Sequence, residues 1–232
     1  MIVQSMDFAR ALQVYVVQGI GLFYLFMAYK ILKRDKGNLN YILSSFFLSV
    51  GIGVIINMVY ANLTIQPVVY LLHFITYYLF CFAMVFLLLF LALLLKTEKI
   101  ITPKKQLIII GTYGILLGGL WFIPGGITIN ESTDWKPVWN LPFFWYSIIL
   151  CSVMVIIPTV ILSIKVYQKI QHAPLRKKWL FFIVGISAYF FVYYGTSLSN
   201  TLNDPDFRIL WSFLTLPTLI TTYLVYYGLT QG

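Results

Sequence analysis

Few side chains in this sequence are suited to acid–base, nucleophilic or metal chemistry. The chain has two histidines, His73 and His172, and two cysteines, Cys81 and Cys151. An intramembrane zinc hydrolase needs several histidine and carboxylate ligands, and an intramembrane serine protease needs a histidine base, which the last two apolar stretches lack. No catalytic, metal-binding or phosphate-binding motif stands out, so we expect neither enzymatic activity nor a cofactor.

The composition indicates a membrane protein. Hydrophobic residues make up 60% of the 232 residues and charged residues only 10%, whereas about a quarter of a soluble domain is charged. Apolar stretches of roughly 17–25 residues predict transmembrane helices. We therefore predict an all-α membrane protein, a seven-transmembrane helix bundle forming one domain over residues 1–232. The predicted spans are 11–32, 41–60, 67–95, 106–123, 143–164, 179–199 and 209–229.

The basic residues predict how the bundle is oriented. Thirteen of the 16 lysines and arginines fall in the first, third and fifth connections between spans or, for Lys30, in the last turn of the first span. Because cytoplasmic loops are enriched in lysine and arginine, we expect the N-terminus outside, the C-terminus in the cytoplasm and a multi-pass location in the cell membrane. The net charge of +9 suits anionic lipid headgroups of the bilayer, and we expect no nucleic-acid partner.

Aromatic and polar side chains are concentrated at the predicted outer ends of the third to seventh spans. His73 is the one histidine that lies within a predicted span. A polar side chain in that position either contacts a ligand or makes a hydrogen bond between helices. An apolar pocket with a few polar groups is typical of small-molecule sites. We therefore expect an outward-facing pocket for a small apolar or amphipathic ligand. The candidate ligand-binding residues are Tyr70, His73, Tyr77, Trp121, Trp135, Trp139, Trp145, Tyr193, Ser197, Asn200 and Trp211.

The long outer connection, residues 124–142, combines glycine, proline and polar residues with Trp135 and Trp139. These residues rule out a regular span. One interpretation is a lid or a short interfacial helix over the outer mouth. The other, which we favour because tryptophan concentrates at membrane interfaces, is a loop in the aromatic belt.

Small residues and prolines predict how the helices pack. Ser45, Ser49, Gly53 and Asn57 recur on one face of the second span, and the fourth span contains Gly114-x-x-x-Gly118. Small residues let helices approach closely, so we expect packing within the chain, and a homodimer face is the open alternative. Pro158 and Pro217, inside the fifth and seventh spans, are expected to kink their helices.

Several segments, in this order along the chain, carry a family resemblance: residues 135–137 followed by 143–146, the basic 176–178, and 216–217 followed by 223–229. The sequence resembles the seven-transmembrane sensor domain at the N-terminus of archaeal and bacterial histidine kinases. The resemblance implies signal reception by a ligand bound in the outer half. In that family a linker and a signalling module follow the last span. Here the sequence stops at Gly232, so we expect a stand-alone sensor that acts through a partner, or one from which the output has been removed.

The sequence thus favours a receptor or sensor that signals through its cytoplasmic loops to a partner. No Asp, Glu, Lys or Arg lies at the centre of a span, which argues against a pump or an ion-coupled transporter. An opsin would need a lysine in the last span, and 209–229 has none. A transporter or channel for an uncharged solute and a structural subunit of a membrane complex remain as alternatives.

Overall fold

Helices make up most of the chain, as its apolar stretches predict. The computed structural model describes residues 11, 14–15, 19–34, 37–96 and 100–229. Short 3-10 turns lie at Gly19–Gly21, Gly119–Phe122 and Glu131–Thr133, and a π-helical turn at Ser152–Ile156. The α-helices are α1 (Leu22–Arg34), α2 (Asn38–Tyr60), α3 (Gln66–Leu95), α4 (Pro103–Gly118), α5 (Leu141–Cys151), α6 (Ile157–Lys169), α7 (Ala173–Leu202), α8 (Pro205–Thr215) and α9 (Thr218–Leu229).

Within the residues that the structure describes, five helical segments are long and apolar enough to cross a membrane. They are Asn38–Tyr60, Gln66–Leu95, Pro103–Phe122, Leu141–Lys169 and Ala173–Leu202, which match the predicted second to sixth spans. Part of the predicted first span lies outside the described residues, and the predicted seventh is divided between α8 and α9. The prediction of an all-α protein with several membrane-spanning helices is therefore confirmed.

Polar caps and prolines set where the helices begin. Asn140 precedes α5, and its side chain accepts a hydrogen bond from the Phe143 backbone N–H at 2.9 Å. Asp204 precedes α8 and accepts from the Phe207 N–H at 2.7 Å. A proline follows each cap within the first turn, where its missing N–H leaves no intrahelical bond unmade.

Both prolines expected to disturb a helix lie at breaks. Pro158 is the second residue of α6, directly after the π-helical turn Ser152–Ile156. Since proline has no N–H to donate, the turn before it cannot keep regular α-helical bonds. Pro217 lies between the end of α8 and the start of α9. The fifth and seventh predicted spans are thus each divided into two helical pieces.

Small residues permit close helix contacts within the chain. A Cβ atom at Gly53 of α2 would lie 2.7 Å from the Phe80 ring of α3, and one at Gly114 would lie 2.9 Å from the Tyr78 hydroxyl. A Cβ at Gly118 would meet nothing within 4 Å. The expected intramolecular packing is therefore confirmed at Gly53 and Gly114 but not at Gly118.

The bundle has two chemically distinct ends. At one end, which we call the basic end, Asn38 donates to the Gln106 side chain at 3.4 Å and the Trp179 indole donates to the Ser163 carbonyl at 3.0 Å. The first contact joins α2 to α4 and the second joins α6 to α7, while the Phe90 and Phe182 rings, with centroids 6.1 Å apart, join α3 to α7 at the same end. Most basic residues lie in the α1–α2, α3–α4 and α6–α7 connections and in the adjoining helix ends. The other end carries residues 124–142, and we call it the loop end.

Two glycines provide a matched test of this packing. A Cβ at Gly228 would lie 2.7 Å from the Lys178 carbonyl oxygen and the Phe182 backbone nitrogen, whereas one at Gly111 would meet nothing within 4 Å. We expect Gly228→Ala to lower the free energy of unfolding by about 1–3 kcal/mol, because α9 must move away from α7. Gly111→Ala should raise it by about 0.5–1 kcal/mol through helix propensity. Thermal unfolding of the purified variants measures both, and equal effects would contradict the close α7–α9 contact.

Candidate functional site

Residues 124–142, which we call the cover, fold into a small ordered unit at the loop end. Strand β1 (Ile127–Thr128) pairs antiparallel with β2 (Val138–Trp139), with Ile127 opposite Trp139. The Asn130 side chain accepts from the Thr133 N–H at 3.2 Å and so caps the turn between the strands. Trp135 has a φ of 54°, a left-handed conformation that is rare for a bulky residue. The cover is therefore a hairpin and not an interfacial helix.

The Trp139 side chain points into the bundle. It is 3% exposed, and its ring lies 4.6 Å from the Tyr77 ring and 5.0 Å from the Phe143 ring, measured between centroids. A tryptophan in an aromatic belt would face the membrane interface. The preferred belt interpretation was therefore wrong for Trp139, and the cover lies over the bundle as a lid would. Apolar partners on α3 and α5 bury the ring and hold the hairpin inward.

His73 connects α2, α3 and the cover through both of its ring nitrogens. Nδ1 lies 2.9 Å from the Tyr60 hydroxyl, and the Trp139 indole N–H donates to Nε2 at 3.4 Å. An indole nitrogen only donates, so Nε2 accepts and Nδ1 carries the proton, which it donates to the Tyr60 oxygen. Two roles were predicted for His73, contact with a ligand or a hydrogen bond between helices, and this geometry matches the second.

A cavity of about 220 Å³ lies under the cover between α2, α3, α7 and α8. Its walls combine aromatic rings, uncharged polar groups and two cationic side chains, Lys136 and Arg208. Six of the predicted ligand-binding residues line it: His73, Tyr77, Trp135, Trp139, Asn200 and Trp211.

The other five predicted residues lie outside the cavity. Tyr70 and Trp121 pack against each other, with ring centroids 5.3 Å apart. Trp145 is 54% exposed on the outer surface of α5. Tyr193 and Ser197 are buried behind the cavity wall. The sequence pattern predicts where a residue lies along its helix, but not which face of the helix points toward the cavity.

A buried hydroxyl network supports the cavity from behind. The Tyr77 hydroxyl on α3 is hydrogen-bonded to Ser147 on α5, and Ser147 lies 2.9 Å from the Tyr193 hydroxyl on α7. Ser197 donates to the Tyr193 carbonyl at 2.8 Å. Tyr193 thus supports Tyr77, one of the lining residues, through Ser147, whereas the Ser197 hydrogen bond stays within α7.

The polar lining residues that were not among the predicted ligand-binding residues are Asn57, Tyr60, Thr76, Lys136, Thr196, Ser199, Arg208 and Ser212. Thr76 follows His73 by three residues, and Thr196 precedes Asn200 by four, so each shares a helix face with a predicted ligand-binding residue. This spacing is the sequence pattern that could have identified Thr76 and Thr196. Arg208 was counted only as an outer basic residue, and no pattern in the sequence distinguished it.

Two polar side chains of α8 join it to its neighbours around the cavity. The Arg208 guanidinium donates to the Pro137 carbonyl of the cover at 2.7 Å. The Trp211 indole donates to the Thr196 hydroxyl on α7 at 3.1 Å. Gly195 leaves the space that the Trp211 ring occupies, since a Cβ there would overlap the ring. A shift of α8 would therefore disturb the cover and the cavity together.

Comparison with known proteins adds no relative. No family model matches the chain, and neither a curated protein nor a solved structure matches it. The resemblance to the sensor domain of histidine kinases therefore remains a prediction.

The bond between Arg208 and the cover can be tested by hydrogen exchange. Hydrogen bonds to a charged group contribute about 1.5–3 kcal/mol, so we expect Arg208→Gln to speed amide exchange in residues 126–140 by about tenfold or more. Lys177→Gln, which removes a positive charge at the basic end, is the matched control and should leave this segment unchanged. Unchanged exchange in Arg208→Gln would show that the bond does not hold the cover.

Proposed function

We propose that this protein is a seven-transmembrane receptor or sensor module that binds a small molecule in the cavity under the cover. One observation carries the proposal: aromatic walls and uncharged polar groups converge on a covered cavity of about 220 Å³ at one end of the bundle. Small-molecule sites have this mixture of apolar surface and a few polar groups. The resemblance to histidine kinase sensor domains supports the same role.

The distribution of charge supports an orientation with the cavity outside. At the basic end, the α1–α2, α3–α4 and α6–α7 connections and the adjoining ends of their helices carry most lysines and arginines, as the cytoplasmic ends of membrane helices do. Glu131, Asp134, Asp204 and Asp206 lie in the cover and at the start of α8. In the proposed topology α1 belongs to the first span, and α8 and α9 form the seventh across Pro217.

The seventh span offers a route from the cavity to the cytoplasm. Trp211 and Ser212 of α8 line the cavity, and Gly228 of α9 lies against the α7 backbone near Lys178. The break at Pro217 separates the two helices, so α8 can tilt about it when a ligand enters. Binding would favour one of two arrangements of the bundle. A cytoplasmic partner would detect this change of arrangement at residues 96–105 and 165–178.

The packing between the cavity and the basic end favours a sensor over a transporter. Beyond Phe80, which lines the cavity, α3 continues with Met84, Leu87 and Phe90, all at most 3% exposed. Phe182 of α7 packs near Phe90, with centroids 6.1 Å apart. A channel for an uncharged solute would need a polar path here, whereas these side chains fill the space with apolar atoms.

Native mass spectrometry tests ligand binding with a matched pair of tryptophans. We expect the protein released from lipid nanodiscs, after incubation with a host-cell extract, to carry a discrete additional mass. Trp211→Ala should lose that mass because Trp211 is 4% exposed in the cavity wall, whereas Trp145→Ala should keep it because Trp145 is 54% exposed outside the cavity. Equal effects of the two substitutions would contradict the proposed site.

Spin labels at the basic end test the transmission of the signal. Labels on Lys104→Cys of α4 and Lys177→Cys of α7 should report a changed distance distribution when the extract is added, and Trp211→Ala should abolish the change. A transporter predicts instead that proteoliposomes take up an uncharged solute. Uptake without a change in the label distances would overturn the sensor proposal.

A further inference from the structure

We infer that the cavity recognises an uncharged, ring-sized molecule through a hydrogen-bonding group of the amide, carbonyl or hydroxyl kind, held by Asn57, Thr76 and Asn200. The inference rests on the proposed function, since it names the ligand class of the same site. It is drawn from three side chains on three helices. None of these side chains makes a hydrogen bond elsewhere in the described part of the structure.

These three side chains are buried, polar and unpartnered. Asn57 is 5% exposed, Thr76 3% and Asn200 9%, and all three line the cavity. Within the part of the chain that the structure describes, none of their side chains makes a hydrogen bond. The Thr76 hydroxyl is closed off from the cavity in this rotamer, and rotation about the Thr76 Cα–Cβ bond would turn it toward that space. Burying a polar group without a partner costs about 1–3 kcal/mol. Two such groups at the cavity, and a third that can turn toward it, indicate that a molecule in that space binds them.

The chemistry of these groups indicates an uncharged partner. A carboxamide both donates and accepts, as does a hydroxyl, so the three groups match a ligand that does the same. Among the described residues that line the cavity there is no aspartate or glutamate, and Lys136 and Arg208, which also line it, would repel a cation. Lys136 is paired with Asp134 at 2.8 Å, and Arg208 donates to Pro137. Both cations are thus engaged with the cover.

The walls set the shape of the ligand. Trp139 and Trp211 are 3% and 4% exposed and line the cavity with Tyr77. Aromatic rings pair best with other rings in stacked or edge-to-face contacts. A volume of about 220 Å³ accommodates one substituted ring but not a lipid with two acyl chains. Water can satisfy the Asn57 and Asn200 amides while no ligand is bound, and the ligand would replace it.

Four probes with the same number of non-hydrogen atoms separate the chemistry of the ligand: benzamide, cumene, benzoate and benzamidinium. They would be titrated against the full chain in nanodiscs by tryptophan fluorescence, with empty nanodiscs as the control for partition into lipid. We expect saturable binding of benzamide that is about tenfold tighter than binding of the apolar, anionic or cationic probe. That ratio corresponds to one or two hydrogen bonds of ordinary strength.

Isosteric substitutions assign the binding to the three side chains. Asn57→Leu, Asn200→Leu and Thr76→Val should each weaken benzamide binding about three- to tenfold and leave cumene binding unchanged. Thr159→Val is the matched control. The Thr159 hydroxyl on α6 is also buried without a hydrogen bond but lies outside the cavity, so its removal should not alter benzamide binding.

The outcomes separate this inference from the proposed function. The inference is overturned by equal affinity for cumene and benzamide, by tighter binding of either charged probe, by no binding of benzamide, or by equal effects of Thr76→Val and Thr159→Val. None of these results changes the mass or spin-label tests of the receptor itself. Conversely, selective benzamide binding with immobile spin labels at the basic end would support the inference and overturn the sensor proposal.

Discussion

The architecture of the loop end depends on the burial of one side chain, Trp139. A tryptophan removes about 150–250 Å² from water when it is buried, which corresponds to about 4–6 kcal/mol at about 25 cal/mol per Å². That contribution is large compared with any single hydrogen bond in the cover. The indole N–H donates to His73, so the ring enters without leaving an unsatisfied donor. The cover, the roof of the cavity and the orientation of His73 follow from this one placement.

The cavity combines two kinds of polar group that have different physical roles. His73, Tyr77 and Trp211 are hydrogen-bonded to neighbouring elements, and these bonds fix the walls. Asn57, Thr76 and Asn200 line the same space, and their side chains make no such bonds. A rigid wall with unsatisfied groups is preorganised, because the entropy of ordering the site is lost on folding and not on binding. The walls account for where a ligand lies, and the unsatisfied groups for which ligand is bound.

Much of the fold could be predicted from hydropathy, because a bilayer permits only helices with satisfied backbones. Pro158 and Pro217 both lie where regular α-helix is interrupted, because proline lacks the N–H that an α-helical hydrogen bond needs. The direction in which side chains point was harder. Trp139 was assigned to a belt because most interfacial tryptophans belong there, and no local pattern shows that Tyr77 and Phe143 lie beneath it. Trp145 was predicted to line the pocket only because it lies near the start of its span, although α5 turns that residue outward.

The central claim is a cavity that opens at the loop end and is closed toward the basic end. Accessibility of Asn200→Cys to a membrane-impermeant thiol reagent in sealed vesicles of each orientation tests it most directly. Cys81 and Cys151 are buried, so the unsubstituted chain gives the background, and Lys177→Cys marks the opposite side. The account predicts that Asn200→Cys reacts only from the side that Lys177→Cys does not. Reaction of Asn200→Cys from both sides would show a continuous path and contradict the account.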